Sequence, residues 1–172
     1  AHELMENPET QQKLYEEVEQ VDSLLEGKPV TYEALQDMKY LDMIIMEVLR
    51  KWPPNVASDR VCNKDYVYDM KNGFQLEIKV GEIISIPTAA LHRDPRYFEN
   101  PTQFDPERFS EERKNNIVPY TFLPFGLGPR NCIGNIIKSH FKIKCNHCVS
   151  RLQICPVGGE SHYLLFAQRL PF

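Results

Sequence analysis

The residues of this chain best placed to do chemistry lie in Phe125-Gly126-Leu127-Gly128-Pro129-Arg130-Asn131-Cys132-Ile133-Gly134. A thiol is both a nucleophile and a soft metal ligand, in each case as the thiolate. Gly126 and Gly128 allow the backbone to turn tightly and to approach a bulky ligand closely. Arg130 puts a permanent cation two residues before the sulfur, and Gly134 leaves bare backbone two residues after it. Such a loop suits a flat ligand. A glycine-rich loop carrying a buried structural cysteine is the plainer alternative, because free cysteine is among the most buried residue types.

Cys132 is one of five cysteines, with Cys62, Cys145, Cys148 and Cys155, an odd number at irregular spacing. This is no secreted disulfide framework, and a reducing compartment is expected. The net charge of -4 over 172 residues gives no electrostatic footprint for nucleic acid. No apolar run is long enough to span a bilayer. The chain opens on Ala1-His2-Glu3 within a helical pattern, so it reads as a piece of a longer protein.

Several elements must position the cysteine loop. Asn7-Pro8 reads as a helix start, with Glu9 in the first turn and an apolar stripe of Leu14, Val18, Val21 and Leu25. Gly27 and Pro29 end that helix, and Thr31 caps a short one through Met38. The spacing of Leu41, Ile44, Ile45, Val48 and Leu49 predicts a helix from about Tyr40 to Trp52, stopped by Pro53-Pro54. Glu47 and Arg50 share one face of it and can pair. Alternation at Phe74, Leu76 and Ile78 predicts a half-buried strand, and Ile83–Ile86 a second, with Asn72-Gly73 and Val80-Gly81-Glu82 as turns. A small antiparallel sheet follows. Residues 89–124 form an irregular, proline-rich stretch in which Tyr97, Phe98, Phe104 and Phe109 act as anchors. His92 lacks a partner at ligand spacing and is expected to be a hydrogen-bonding residue of the structure.

The ten-residue stretch matches Phe-Gly-x-Gly-x-Arg-x-Cys-x-Gly, and the chain therefore resembles the cytochrome P450 family, haem-thiolate monooxygenases. Six fixed residue types would meet by chance on the order of 10⁻⁶ times in a chain this long, so coincidence is rejected. The resemblance covers residues 1–135 and is closest to animal, insect-type microsomal members. It implies the C-terminal, haem-ligand part of a fold that is mainly α with a small antiparallel β-sheet. It marks Cys132 as the thiolate ligand of haem iron, with Phe125, Gly126, Arg130 and Gly134 around haem b. Arg60 resembles a haem-propionate contact, with a solvated strand-edge charge as its alternative. Glu47, Arg50 and Arg108 would form a structural ion network behind the loop, and Asn55, Val56 and Ala57 would border the substrate pocket.

The function so implied is insertion of one oxygen atom from O2 into an apolar organic substrate, with electrons from a NADPH-linked reductase. The implied location is the cytoplasmic face of the endoplasmic reticulum, reached through an N-terminal anchor upstream of Ala1. Residues 136–172 depart from the pattern as a divergent tail, where Ile136 stands in place of an arginine. Two alternatives stay open. One is a non-catalytic truncated product with an incomplete haem pocket. The other is a zinc-binding module on Cys145, Cys148, Cys155 and His162, whose second pair is spaced too widely for the usual ligand knuckles.

Overall fold

A computed structural model of the chain describes residues 2–26, 28–70 and 73–132. Helices lead the order: α1 (His2–Glu6), α2 (Pro8–Leu25), α3 (Tyr32–Asp37) and α4 (Lys39–Lys51). Four short strands follow: β1 (Ser58–Val61), β2 (Tyr66–Asp69), β3 (Gln75–Ile78) and β4 (Ile83–Ile86). Helix α5 (Thr88–His92) and two 3-10 turns, Pro106–Phe109 and Lys114–Asn116, lead towards the cysteine loop.

Helix α4 is the hub, and its apolar stripe explains why. Leu41, Ile44, Ile45 and Leu49 are buried with Leu14 of α2, Leu35 of α3, Met38 and Phe104. Val18, Val21, Val48 and Phe125 pack against this cluster. Fully burying a side chain of this size stabilises by about 1.5–3 kcal/mol, so these residues dominate the packing energy. Leu41, with 1 % of its surface exposed, is among the most buried of them. Truncation to alanine there costs about 2–5 kcal/mol.

The ends of α4 are tied by side chains from other elements. At its start the Glu17 carboxylate accepts from the N–H groups of Tyr40 and Leu41, both at 2.8 Å. Two of the unpaired donors of a helix N-terminus are thereby satisfied, and the anion sits where the helix dipole favours it. At its end the Lys51 carbonyl accepts from Arg93 Nε at 3.2 Å and Nη2 at 2.6 Å. Thr31 caps α3 as expected, its Oγ1 accepting from the Ala34 N–H at 3.2 Å. Asn7 does not cap α2 with its side chain; its Nδ2 instead donates back to the Glu3 carbonyl at 2.8 Å. Helix α2 ends with Glu26 in the left-handed region at φ 49°.

The strands differ from expectation in two respects. Neighbouring β3 and β4 do not pair with each other: β1 pairs with β4 and β2 with β3, both antiparallel. Bonds from Cys62 N–H to the Glu82 carbonyl and from Gly81 N–H to the Cys62 carbonyl, both 2.8 Å, continue the outer ladder. The result is a ribbon of two two-stranded antiparallel ladders, which agrees with the expected small antiparallel sheet structure. Nor is β3 half-buried: Phe74 is 71 % and Leu76 45 % exposed. Alternation marks an apolar face, but a ribbon of two strands supplies no layer to cover it.

Candidate functional site

Helical spacing puts Glu47 and Arg50 on the buried face of α4, and both are fully buried. Their contact is bidentate, with Arg50 Nε donating to Glu47 Oε2 at 2.7 Å and Nη2 to Oε1 at 2.8 Å. Arg108, from the first 3-10 turn, brings Nε to 3.6 Å from Glu47 Oε1 and donates from Nη2 to the Asn100 carbonyl at 3.0 Å. Glu47 Oε1 also accepts from the Asp105 N–H at 3.0 Å. Arg50 reaches two further carbonyls, His92 at 2.9 Å and Gln103 at 3.3 Å, and its guanidinium lies 5.4 Å from the Phe98 ring centre. The Glu47–Arg50 pair thus gathers α4, the end of α5 and the proline-rich stretch. Fixed neighbours satisfy Glu47 and Arg50, while Arg108 Nε is buried without a hydrogen-bond partner and faces Glu47 by charge alone.

The cluster connects to the cysteine loop through His92, which is fully buried. Its Nε2 accepts from the Leu123 N–H at 2.8 Å, and its ring lies 5.2 Å from that of Phe122. Phe109 continues this stack, 4.8 Å from Phe122. Burial pushes the His92 pKa down to about 4, against a weaker upward pull from backbone groups of Arg50 and Leu49. The imidazole is therefore neutral and committed to the backbone. The expectation of a hydrogen-bonding rather than ligating histidine agrees with this geometry.

The loop itself is a sequence of tight turns. Gly126 N–H donates to the Leu123 carbonyl at 3.2 Å, and Asn131 N–H to the Gly128 carbonyl at 3.1 Å. Cys132 N–H closes the loop on the Phe125 carbonyl at 2.7 Å. Gly126 and Gly128 adopt φ of +70° and +83°, in the left-handed region that side chains rarely enter. Apart from chain neighbours, no heavy atom of the described residues lies within 4 Å of a Cβ built at either position, so among these residues their role is backbone conformation. Phe125 is half-buried against the core, while Leu127, Arg130 and Cys132 are exposed.

Cys132 is exposed in this chain, unlike the buried structural cysteine of the plainer alternative. A reachable soft donor on a bare backbone, with an exposed apolar Leu127 and an exposed Arg130 beside it, fits haem by chemistry and access. Of the other expected site residues, Glu47, Arg50 and Arg108 are brought together. Arg60 is exposed on β1, its Nη1 donating to the Asp59 carbonyl at 2.8 Å. Asn55, Val56 and Ala57 are exposed where α4 passes into β1, with the Val56 carbonyl accepting from Ala89 N–H at 3.0 Å. Gly134 and the tail residues Cys145, Cys148, Cys155 and His162 lie outside the described residues.

Two supporting carboxylates escape sequence reading. Glu17 has its partners on another helix. Glu3, buried in α1, accepts from Trp52 Nε1 at 2.6 Å and Lys51 Nζ at 3.0 Å. Burial raises the Glu3 pKa, but these hydrogen bonds and the Lys51 charge outweigh it and the net shift is downward.

Comparison with known proteins agrees with the loop. The family model described as cytochrome P450 matches residues 2–159. A "Probable cytochrome P450 9f2" of Drosophila melanogaster is 62 % identical over 135 residues, which is 78 % of this chain and 26 % of that protein. "Cytochrome P450 9e2" of Blattella germanica is 50 % identical over 135 residues, 78 % of this chain and 25 % of that protein. "Cytochrome P450 3A1" of Rattus norvegicus is 46 % identical over 133 residues, 77 % and 25 % respectively. The chain thus spans about a quarter of the length of the curated relatives it matches. Turn-bound cysteine, buried ion cluster and matched length together place this chain in the cytochrome P450 family, whose members bind haem b.

Proposed function

We propose that this chain forms the haem-ligand part of a monooxygenase that inserts one oxygen atom from O2 into an apolar organic substrate. The observation that carries this reading is the exposed Cys132 thiol, closed onto the Phe125 carbonyl at the end of a glycine-shaped loop. Cys132 would hold the haem iron through its thiolate, with Phe125, Gly126 and Gly134 around the macrocycle. Arg130 and Arg60 pair with the propionates, because a guanidinium stays charged and matches a carboxylate with two donors. Haem b held by a thiolate supplies reductive activation of O2, one atom going to the substrate and the other leaving as water.

The other residues hold and shape. Glu47, Arg50 and Arg108 keep the segment before the loop fixed, so the sulfur is offered in one orientation. Asn55, Val56 and Ala57 border the substrate pocket. Electrons come from a NADPH-linked reductase, and the whole protein sits on the cytoplasmic face of the endoplasmic reticulum membrane, anchored upstream of this chain. Residues 1–135 form the functional unit and 136–172 a divergent tail, although the family model runs on to residue 159.

The test uses the full-length protein, NADPH, a reductase and isotopically labelled O2 with a panel of apolar substrates. One labelled oxygen per product, lost in Cys132→Ser, is expected. Equal incorporation by Cys132→Ser would overturn the proposal.

A further inference from the structure

We infer that His92 is a positioning residue for Cys132, holding the ligand loop in register with the buried ion cluster through its Nε2 acceptor. The inference rests on the reading of Cys132 as the iron ligand, but its geometry stands apart from it. His92 has two attachments on opposite sides. Its carbonyl accepts from Arg50 Nη1 at 2.9 Å, and its Nε2 accepts from the Leu123 N–H at 2.8 Å. From Leu123 a run of backbone bonds reaches the sulfur-bearing residue: Leu123 carbonyl to Gly126 N–H at 3.2 Å, then Phe125 carbonyl to Cys132 N–H at 2.7 Å. The arrangement joins the Glu47–Arg50 pair to Cys132 through one imidazole.

The unusual feature is the other ring nitrogen. With Nε2 accepting, the neutral ring carries its proton on Nδ1, which is buried and makes no hydrogen bond. An unpaired buried donor costs stability. A phenylalanine or leucine between Phe98 and Phe122 would avoid that cost. What neither could supply is an acceptor for the Leu123 N–H. The charged group facing His92 is Arg50, already bound to Glu47; backbone groups of Arg50 and Leu49 also act on the ring, beside the rings of Phe98 at 6.4 Å and Phe122 at 5.2 Å. Acceptor function, not packing, accounts for a histidine here.

The test compares His92→Gln, whose amide oxygen can replace the acceptor, with His92→Leu, which removes it at similar volume, in the full-length protein. Two readouts are needed: hydrogen exchange at the Leu123 amide without haem, and the thiolate-type absorption of the reduced carbon-monoxide complex. Leucine should speed Leu123 exchange about tenfold or more and lower the thiolate fraction in protein that remains folded, while glutamine restores both. If His92→Leu does not fold, His92→Asn replaces it, since its shorter amide falls short of Leu123. Unchanged Leu123 protection, unchanged thiolate absorption despite faster exchange, or glutamine behaving like the acceptor-free variant would each overturn the inference. Should Cys132→Ser leave the absorption unaltered, the ligand reading fails separately, and Leu123 exchange still decides whether His92 holds the loop.

Discussion

The ion cluster behind the cysteine loop and the ribbon from β1 to β4 use opposite residue types, each against the usual expectation for burial. In the cluster the charged side chains Glu47 and Arg50 are fully buried and Arg108 is 7 % exposed. In the ribbon the apolar side chains Val61, Phe74, Val80 and Ile83 are 61–71 % exposed. Burial follows from what surrounds a residue, not from its type. Glu47 is surrounded because Arg50 of its own helix and the turn bearing Asp105 and Arg108 converge on one carboxylate, whereas a two-stranded ribbon has two faces and no partner layer among the described residues. The difference separates a self-sufficient scaffold behind Cys132 from an open side on which the thiol, Leu127 and Arg130 lie.

This contrast can be broken most forcefully at Glu47. Glu47→Gln keeps the shape but leaves Arg50 and Arg108 buried without their counter-charge, which should cost about 3–5 kcal/mol. A shift in the denaturant midpoint of the chain measures it, and a loss below about 1 kcal/mol would mean the cluster is not the scaffold.

The next largest effect comes from acid. His92 has a folded pKa of about 4 against an ordinary 6.5, so protonation favours the unfolded chain. Its contribution is complete above pH 6.5 and is lost as pH falls through the window from 6.5 to 4, roughly 3 kcal/mol in all. Unfolding measured across that window should show a steeper decline for the native chain than for His92→Gln, which does not titrate. Parallel curves would contradict the assignment. A smaller effect is expected at Glu17→Ala, which exposes the Tyr40 and Leu41 donors at the start of α4 and should cost about 1 kcal/mol. The smallest is Ile83→Thr on the ribbon, where Ile83 is 69 % exposed. Within about 0.5 kcal/mol of no change is expected, and a loss above 1 kcal/mol would show that this face is covered in solution.

How much of this was legible in the sequence depended on where the partners lie. The α4 stripe is local, and helical period alone places it; the same period puts Glu47 and Arg50 on one face, but their burial was reached only through the family resemblance. The cysteine loop is recognised by its residue types, and the left-handed glycines supply the backbone reason. Arg108 was reached only through the family resemblance, because its partner is on another element. The two hydrogen bonds of Glu17 join residues 23 and 24 apart, and the His92–Leu123 bond spans 31. No local period reports such pairings. The ribbon shows the opposite limit: Phe74, Leu76 and Ile78 disclose an apolar face by alternation, but a pattern does not say what, if anything, lies against it.

The central claim is that Cys132 presents its thiolate to haem iron from a loop held by the chain's own buried scaffold. The most direct measurement is the absorption spectrum of the reduced carbon-monoxide complex of the haem-loaded full-length protein, native against Cys132→Ser. The account predicts a thiolate-type band in the native protein that is absent in Cys132→Ser at equal haem content. The same band in both proteins would contradict it.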